Sequence, residues 1–73
     1  MKTVHITKGS EINTQTGYLK VYGRGPELIY CEEFEIGEND EPVYTGDRNL
    51  TLSEIGHIMK EVDGKNYTVF WRD

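Results

Sequence analysis

The chain has one cysteine, Cys31, among its 73 residues. No internal disulfide can staple the fold, and small secreted domains ordinarily depend on such staples. No stretch approaches the ~18 apolar residues of a membrane span, and Met1 to Lys8 carries no continuous apolar run of the kind a secretory leader uses. The expected compartment is therefore the cytoplasm. Only two prolines occur, Pro26 and Pro42, and both read as punctuation between strands rather than as interruptions of them.

Basic residues are also scarce. Eight Lys and Arg stand against thirteen Asp and Glu, giving a net charge of −5, which argues against direct binding to nucleic acid or anionic lipid through long-range attraction. The distribution is uneven. Between Arg24 and Arg48 there is no Lys or Arg, whereas Glu27, Glu32, Glu33, Glu35, Glu38, Asp40, Glu41 and Asp47 all fall in that window.

What remains is enough for one small folded domain over residues 1–73. A chain this short buries only roughly 60% of its unfolded surface, but its apolar content, 36%, exceeds that of a disordered tail. Thr3 to Thr7 alternates apolar and polar residues as a half-buried strand does. Lys8 to Gly17 reads as a loop with Ile12 turned back onto the core. Gly17 to Gly23 and Glu27 to Ile36 read as a central hairpin around the turn Arg24-Gly25-Pro26. Gly37 to Pro42 is a polar turn, and Pro42 to Thr45 a short strand whose proline suggests an edge. Thr51 and Glu54 form a capping box, Leu50 and Ile55 stand at the staple positions, and Leu52, Ile55, Ile58, Met59 and Val62 make one apolar stripe. Gly64 suits the C-terminal cap, and Asn66 to Trp71 reads as a last strand. The expected class is α+β: a small antiparallel sheet of four or five strands in the order β-β-β-(β)-α-β, with one amphipathic helix packed on one face.

One helix covers one face, so the other is solvated or meets a partner. Leu19, Val21, Ile29, Cys31, Val4 and Ile6 suit the helix side, while Tyr18, Tyr22 and Tyr30 project from the opposite parity. On the last strand two parities stay open, Tyr67, Val69 and Trp71 on one and Thr68 and Phe70 on the other. Exposed aromatics serve interfaces, or they merely stabilise the sheet as cross-strand pairs. A single-stranded nucleic-acid platform would need basic neighbours, and only Lys20 and Arg72 offer themselves.

The acidic window has two readings as well. Glu33 and Glu35, two apart, point to one side of a strand, and Glu38, Asp40 and Glu41 extend the charge into the turn. The stripe is then either a set of solvating charges that guards the sheet against aggregation or a docking surface for a basic protein. In the second reading the partner-binding residues are Glu32, Glu33, Glu35, Glu38, Asp40 and Glu41, flanked by Tyr30 and Tyr44. No metal or cofactor site is expected, since His5, His57 and Cys31 lack paired ligand spacing and the acidic turn lacks the calcium-loop pattern. The glycines around Arg24 precede no helix, as a phosphate loop requires, and no nucleophile has a base placed beside it.

In overall character, meaning small, acidic and without catalytic motifs, the chain resembles the proteins that phages and mobile elements use to block host nucleic-acid-handling machinery, including anti-CRISPR proteins and DNA mimics. The resemblance covers size, charge and simplicity and involves no motif. It implies a non-enzymatic inhibitor or adaptor whose acidic stripe occupies a basic, nucleic-acid-binding surface of a partner protein. The alternative is a self-associating module, a homodimer pairing its aromatic face through Tyr18, Tyr22, Tyr67 and Trp71 about a two-fold axis.

Overall fold

A computed structural model of the chain describes residues 1–73. Its elements are β1 (Lys2–Ile6), β2 (Glu11–Asn13), β3 (Gly17–Arg24), β4 (Ile29–Ile36), a short 3-10 turn (Glu38–Asp40), β5 (Pro42–Leu50), α1 (Leu52–Asp63) and β6 (Tyr67–Trp71). The fold is α+β. Four strands form an antiparallel sheet in the order β2-β3-β4-β5, and β1 pairs with β6 in a separate two-stranded sheet.

That second pair is parallel, with Val4 opposite Val69 and Ile6 opposite Trp71, where the sequence suggested antiparallel strands throughout. Parallel neighbours require a long crossover. Here everything from β2 to α1 lies between the two strands, so no local turn signal announces the pairing. The segment read as a loop, Lys8 to Gly17, contains β2, which sets Ile12 opposite Leu19. Its polar residues still make turns. The Ser10 hydroxyl accepts from the Thr7 N–H at 2.9 Å, and the Thr14 hydroxyl accepts from the Gly17 N–H at 3.0 Å.

The core is a single apolar cluster of Ile6, Ile12, Leu19, Val21, Ile29, Cys31, Leu50, Ile55 and Val69, with no buried polar or charged side chain. The helix closes it from one side. The Thr51 hydroxyl accepts from the Glu54 N–H at 3.1 Å and the Glu54 carboxylate accepts from the Thr51 N–H at 2.9 Å. Leu50 and Ile55, the staple pair, are both buried. Gly64 ends the helix at φ 77°, its N–H donating to the Lys60 carbonyl at 2.7 Å. Mid-helix Gly56 is buried because α1 lies close on β6, where a Cβ would stand 3.1 Å from the Tyr67 carbonyl oxygen. On β6, Val69 faces the core with Tyr67 and Trp71 packed beside it, while Phe70 is exposed and stacks on His5 at 5.6 Å.

β5 runs to Leu50 rather than stopping at Thr45, and it forms the edge its proline suggested. Its second half, Gly46-Asp47-Arg48-Asn49, has no apolar alternation, and Arg48 adds a side-chain bridge to Glu33 of β4 to the backbone pairing. A bulge between Glu33 and Phe34 of β4 and the facing residues of β5 shifts the register by one. Tyr44 and Asp47, three apart, therefore share a face. Arg48 and Leu50 take the other.

The capping box couples stability to acid. Its hydrogen bonds from Thr51 hold the Glu54 carboxyl below its ordinary value of 4.5. That contribution is complete above the ordinary value and is lost as the pH falls through the lowered one. Thr51→Ala is expected to cost about 1 kcal/mol at neutral pH in urea unfolding, with a smaller cost once Glu54 is protonated. An equal cost at both pH values would show that the Thr51 hydroxyl adds no charge-linked stability to the box.

Candidate functional site

The face of the four-stranded sheet away from the helix is the most distinctive surface of the molecule. Cross-strand register places Tyr18 beside Phe34 and Phe34 beside Tyr44. The Tyr18 and Phe34 rings stack at 5.0 Å and 16°, and Tyr44 meets Phe34 edge-on at 5.8 Å. Nearer the β3–β4 turn, Tyr22 and Tyr30 lie 6.2 Å apart, and the Tyr30 hydroxyl rests over Gly25. Beside Tyr30, a concavity of about 330 Å³ is lined by Pro26, Glu27 and Leu28. Between the two aromatic groups runs a charged row, Glu11 opposite Lys20, Lys20 opposite Glu32 and Glu32 opposite Asp47.

The acidic window is divided by this geometry. Glu32 and Asp47 share the aromatic face with Tyr30 and Tyr44. Glu33 and Glu35 do point to one side of the strand, but that side is the helix side, in line with Ile29 and Cys31. Glu33 pairs there with Arg48 at 3.3 Å, a partly exposed bridge of small energetic value. Glu38, Asp40 and Glu41 are exposed on the β4–β5 turn, where Asn39 and Asp40 both take positive φ, 68° and 58°. The six acidic residues expected in one stripe thus occupy two faces and a turn. Nor do they guard an edge along β4, which is an interior strand.

The aromatic set expected for self-association is also split. Tyr18 and Tyr22 stand on the open face, whereas Tyr67 and Trp71 pack against the core cluster. The Tyr67 hydroxyl donates to Asp63, and the Arg24 guanidinium lies 5.5 Å from the Trp71 ring centre. Sequence reasoning missed Phe34 and Asp47 on the open face. Phe34 was within reach, since Tyr30, Glu32 and Phe34 share one parity. Asp47 was not, because strict alternation from Tyr44 would turn it inward and only the bulge brings it out.

The field on this face is negative. The Tyr44 hydroxyl donates to Asp47 Oδ1 at 2.8 Å, and this bond holds its phenol above the ordinary value, with added pressure from burial and from the Asp47 and Glu32 charges. The Tyr22 phenol is raised by burial and then by Asp47 and Glu32. Both phenols stay neutral donors at physiological pH. No three His, Cys, Asp or Glu side chains gather as a metal ion would need, and no helix is long and apolar enough to cross a membrane.

Cys31 lies in the core opposite Arg48. Burial pushes its thiol up to about 11 against a weaker opposing pull from Arg48. The folded protein is expected to react with a disulfide reagent at mildly alkaline pH at least ~100-fold more slowly than the urea-unfolded chain, as a buried neutral thiol does. Equal rates would place the thiol at the surface.

Compared with protein-family models, with curated proteins and with solved structures, the chain matches none.

Proposed function

We propose that this protein is a non-enzymatic binding module that docks the open sheet face onto a basic surface of a partner protein, in the cytoplasm. The observation that carries this reading is the coincidence on one uncovered face of Tyr18, Tyr22, Tyr30, Phe34 and Tyr44 with the carboxylates of Glu32 and Asp47. Tyrosines held by mutual stacking offer contact area with little conformational entropy left to lose. The carboxylates attract and orient a cationic partner. Glu38, Asp40 and Glu41, on the turn beyond Phe34 and Tyr44, extend the same sign of charge. The resemblance to small acidic inhibitors adds that the basic surface is one that handles nucleic acid.

The same charges weigh against two-fold pairing through this face. Two copies brought together would each contribute Glu11, Glu32 and Asp47 against a single Lys20, a surplus of like charge that only salt would screen. A basic partner removes that cost.

The sidedness of the acidic residues makes the reading testable. A tagged protein is incubated with bacterial cytosol, washed at low and high salt, and the captured proteins are read by mass spectrometry. Three forms are compared: the wild type, a variant with Glu32→Gln and Asp47→Asn, and a variant with Glu33→Gln and Glu35→Gln. The expected result is a salt-sensitive protein with a basic surface, kept by the wild type and the Glu33/Glu35 variant and lost by the Glu32/Asp47 variant. Loss with the Glu33/Glu35 variant instead, or equal capture by all three, would overturn the assignment of the open face.

A further inference from the structure

The open face is banded. Outward positions along β4 run Tyr30, Glu32, Phe34. The facing positions run Gly23, Lys20, Tyr18 on β3 and Asn49, Asp47, Tyr44 on β5, and a bulge between Val21 and Gly23 leaves Tyr22 unpaired with its ring 6.2 Å from that of Tyr30. A charged band therefore separates two aromatic bands, and at the usual strand rise the aromatic bands lie ~13 Å apart with the charged one halfway. The charge within the middle band is not balanced across its width. Toward β3, Lys20 stands opposite Glu32. Toward β5, Glu32 stands opposite Asp47, and like charges directly across neighbouring strands destabilise a sheet. The fold gains nothing from that pair, which a cation from outside would neutralise. The apolar groups on either side are open to solvent, with Tyr22 at 42% and Tyr44 at 52% exposure, and Ile36 extends the second band at 45%.

Resting on the reading above, we infer that the partner presents a basic amphipathic helix. It would lie along the strands with an apolar residue on each aromatic band and one lysine or arginine between Glu32 and Asp47. The helical rise places residues i, i+4 and i+8 at ~6 Å steps along the axis, close to the spacing of the bands. A helix is also what already covers the opposite side of this sheet. An extended segment would instead be held by a strand edge, since main-chain hydrogen bonding is its chief source of affinity. Of the sheet's two edges, β5 discourages this with Pro42, its bulge and its charges, and β2 offers only the three residues Glu11–Asn13.

The test uses the full chain and a stapled helical peptide presenting leucine, arginine and leucine one turn apart on one face. One control peptide has the arginine replaced by glutamate, and a second has it moved to the opposite face so that net charge is kept. Binding is followed by amide shifts in NMR titrations. The expected perturbations centre on Tyr22, Tyr30, Glu32, Phe34, Tyr44 and Asp47. Affinity is expected to fall at least about tenfold, or ~1.4 kcal/mol, with either control peptide and with Glu32→Gln plus Asp47→Asn. Glu33→Gln plus Glu35→Gln should leave it nearly unchanged. Urea midpoints of the variants verify folding; loss of the Glu32–Asp47 repulsion and weakening of the Tyr44–Asp47 hydrogen bond act on the midpoint in opposite directions.

Equal affinity for the peptide with its arginine moved would overturn the banded register, while a basic partner on this face would stand. Failure of every peptide, alongside salt-sensitive capture of a basic protein through Glu32 and Asp47, would overturn the helix alone. Perturbations confined to Glu33, Glu35 and Arg48 would overturn both.

Discussion

A single helix covers a single face of a sheet, and every other feature of this molecule follows from that constraint. The residues of α1 and of the β1–β6 pair supply enough apolar surface to bury Leu19, Val21, Ile29 and Cys31 on one side of the four-stranded sheet. No further element remains to cover the other side. The chain answers with rings that cover one another, Tyr18 on Phe34, Phe34 against Tyr44 and Tyr22 near Tyr30. Such cross-strand contacts contribute to sheet stability. They also leave a rigid aromatic surface in water, which is the raw material of an interface.

Charge decides what that surface suits. Two local devices set it: the bulge in β5, which turns Asp47 outward, and the register of β4, which sends Glu32 outward and Glu33 and Glu35 toward the helix side. Glu33 then has Arg48 as a partner, while Glu32 and Asp47 face each other among tyrosines. The distinction between structural and available carboxylates therefore rests on a one-residue offset. A chain with the same composition and no bulge would present Arg48 beside Tyr44 and lose the negative field.

The legibility of the sequence varies in the same physical terms. The helix was readable to the residue because its signals are local, Thr51 and Glu54 for the start and Gly64 for the end. The central hairpin was readable because alternation and turn chemistry agree over Gly17 to Ile36. The parallel pairing of β1 with β6 was not, since it depends on contacts between the two ends of the chain. The three-residue β2 lay hidden among turn-forming residues, and the second half of β5 has no apolar pattern to announce it. At the candidate site, period two placed Tyr18, Tyr22 and Tyr30 correctly on the open face. It could not unite Tyr67 and Trp71 with them or separate them, because the facing of β6 is decided by where α1 packs. The acidic stripe came apart for a simpler reason: neighbours in sequence, Glu32 and Glu33, point to opposite sides of a strand.

The rings of the open face add less to the stability of the fold than the core on the helix side does. The most direct measurement compares urea unfolding of Phe34→Thr, at the centre of the ladder, with Leu19→Ala in the core. The expected loss is about 1–2 kcal/mol for Phe34→Thr, the sum of two cross-strand contacts, against about 3–5 kcal/mol for the core deletion. A loss at Phe34 equal to that at Leu19 would contradict it, and would make the ladder a second core.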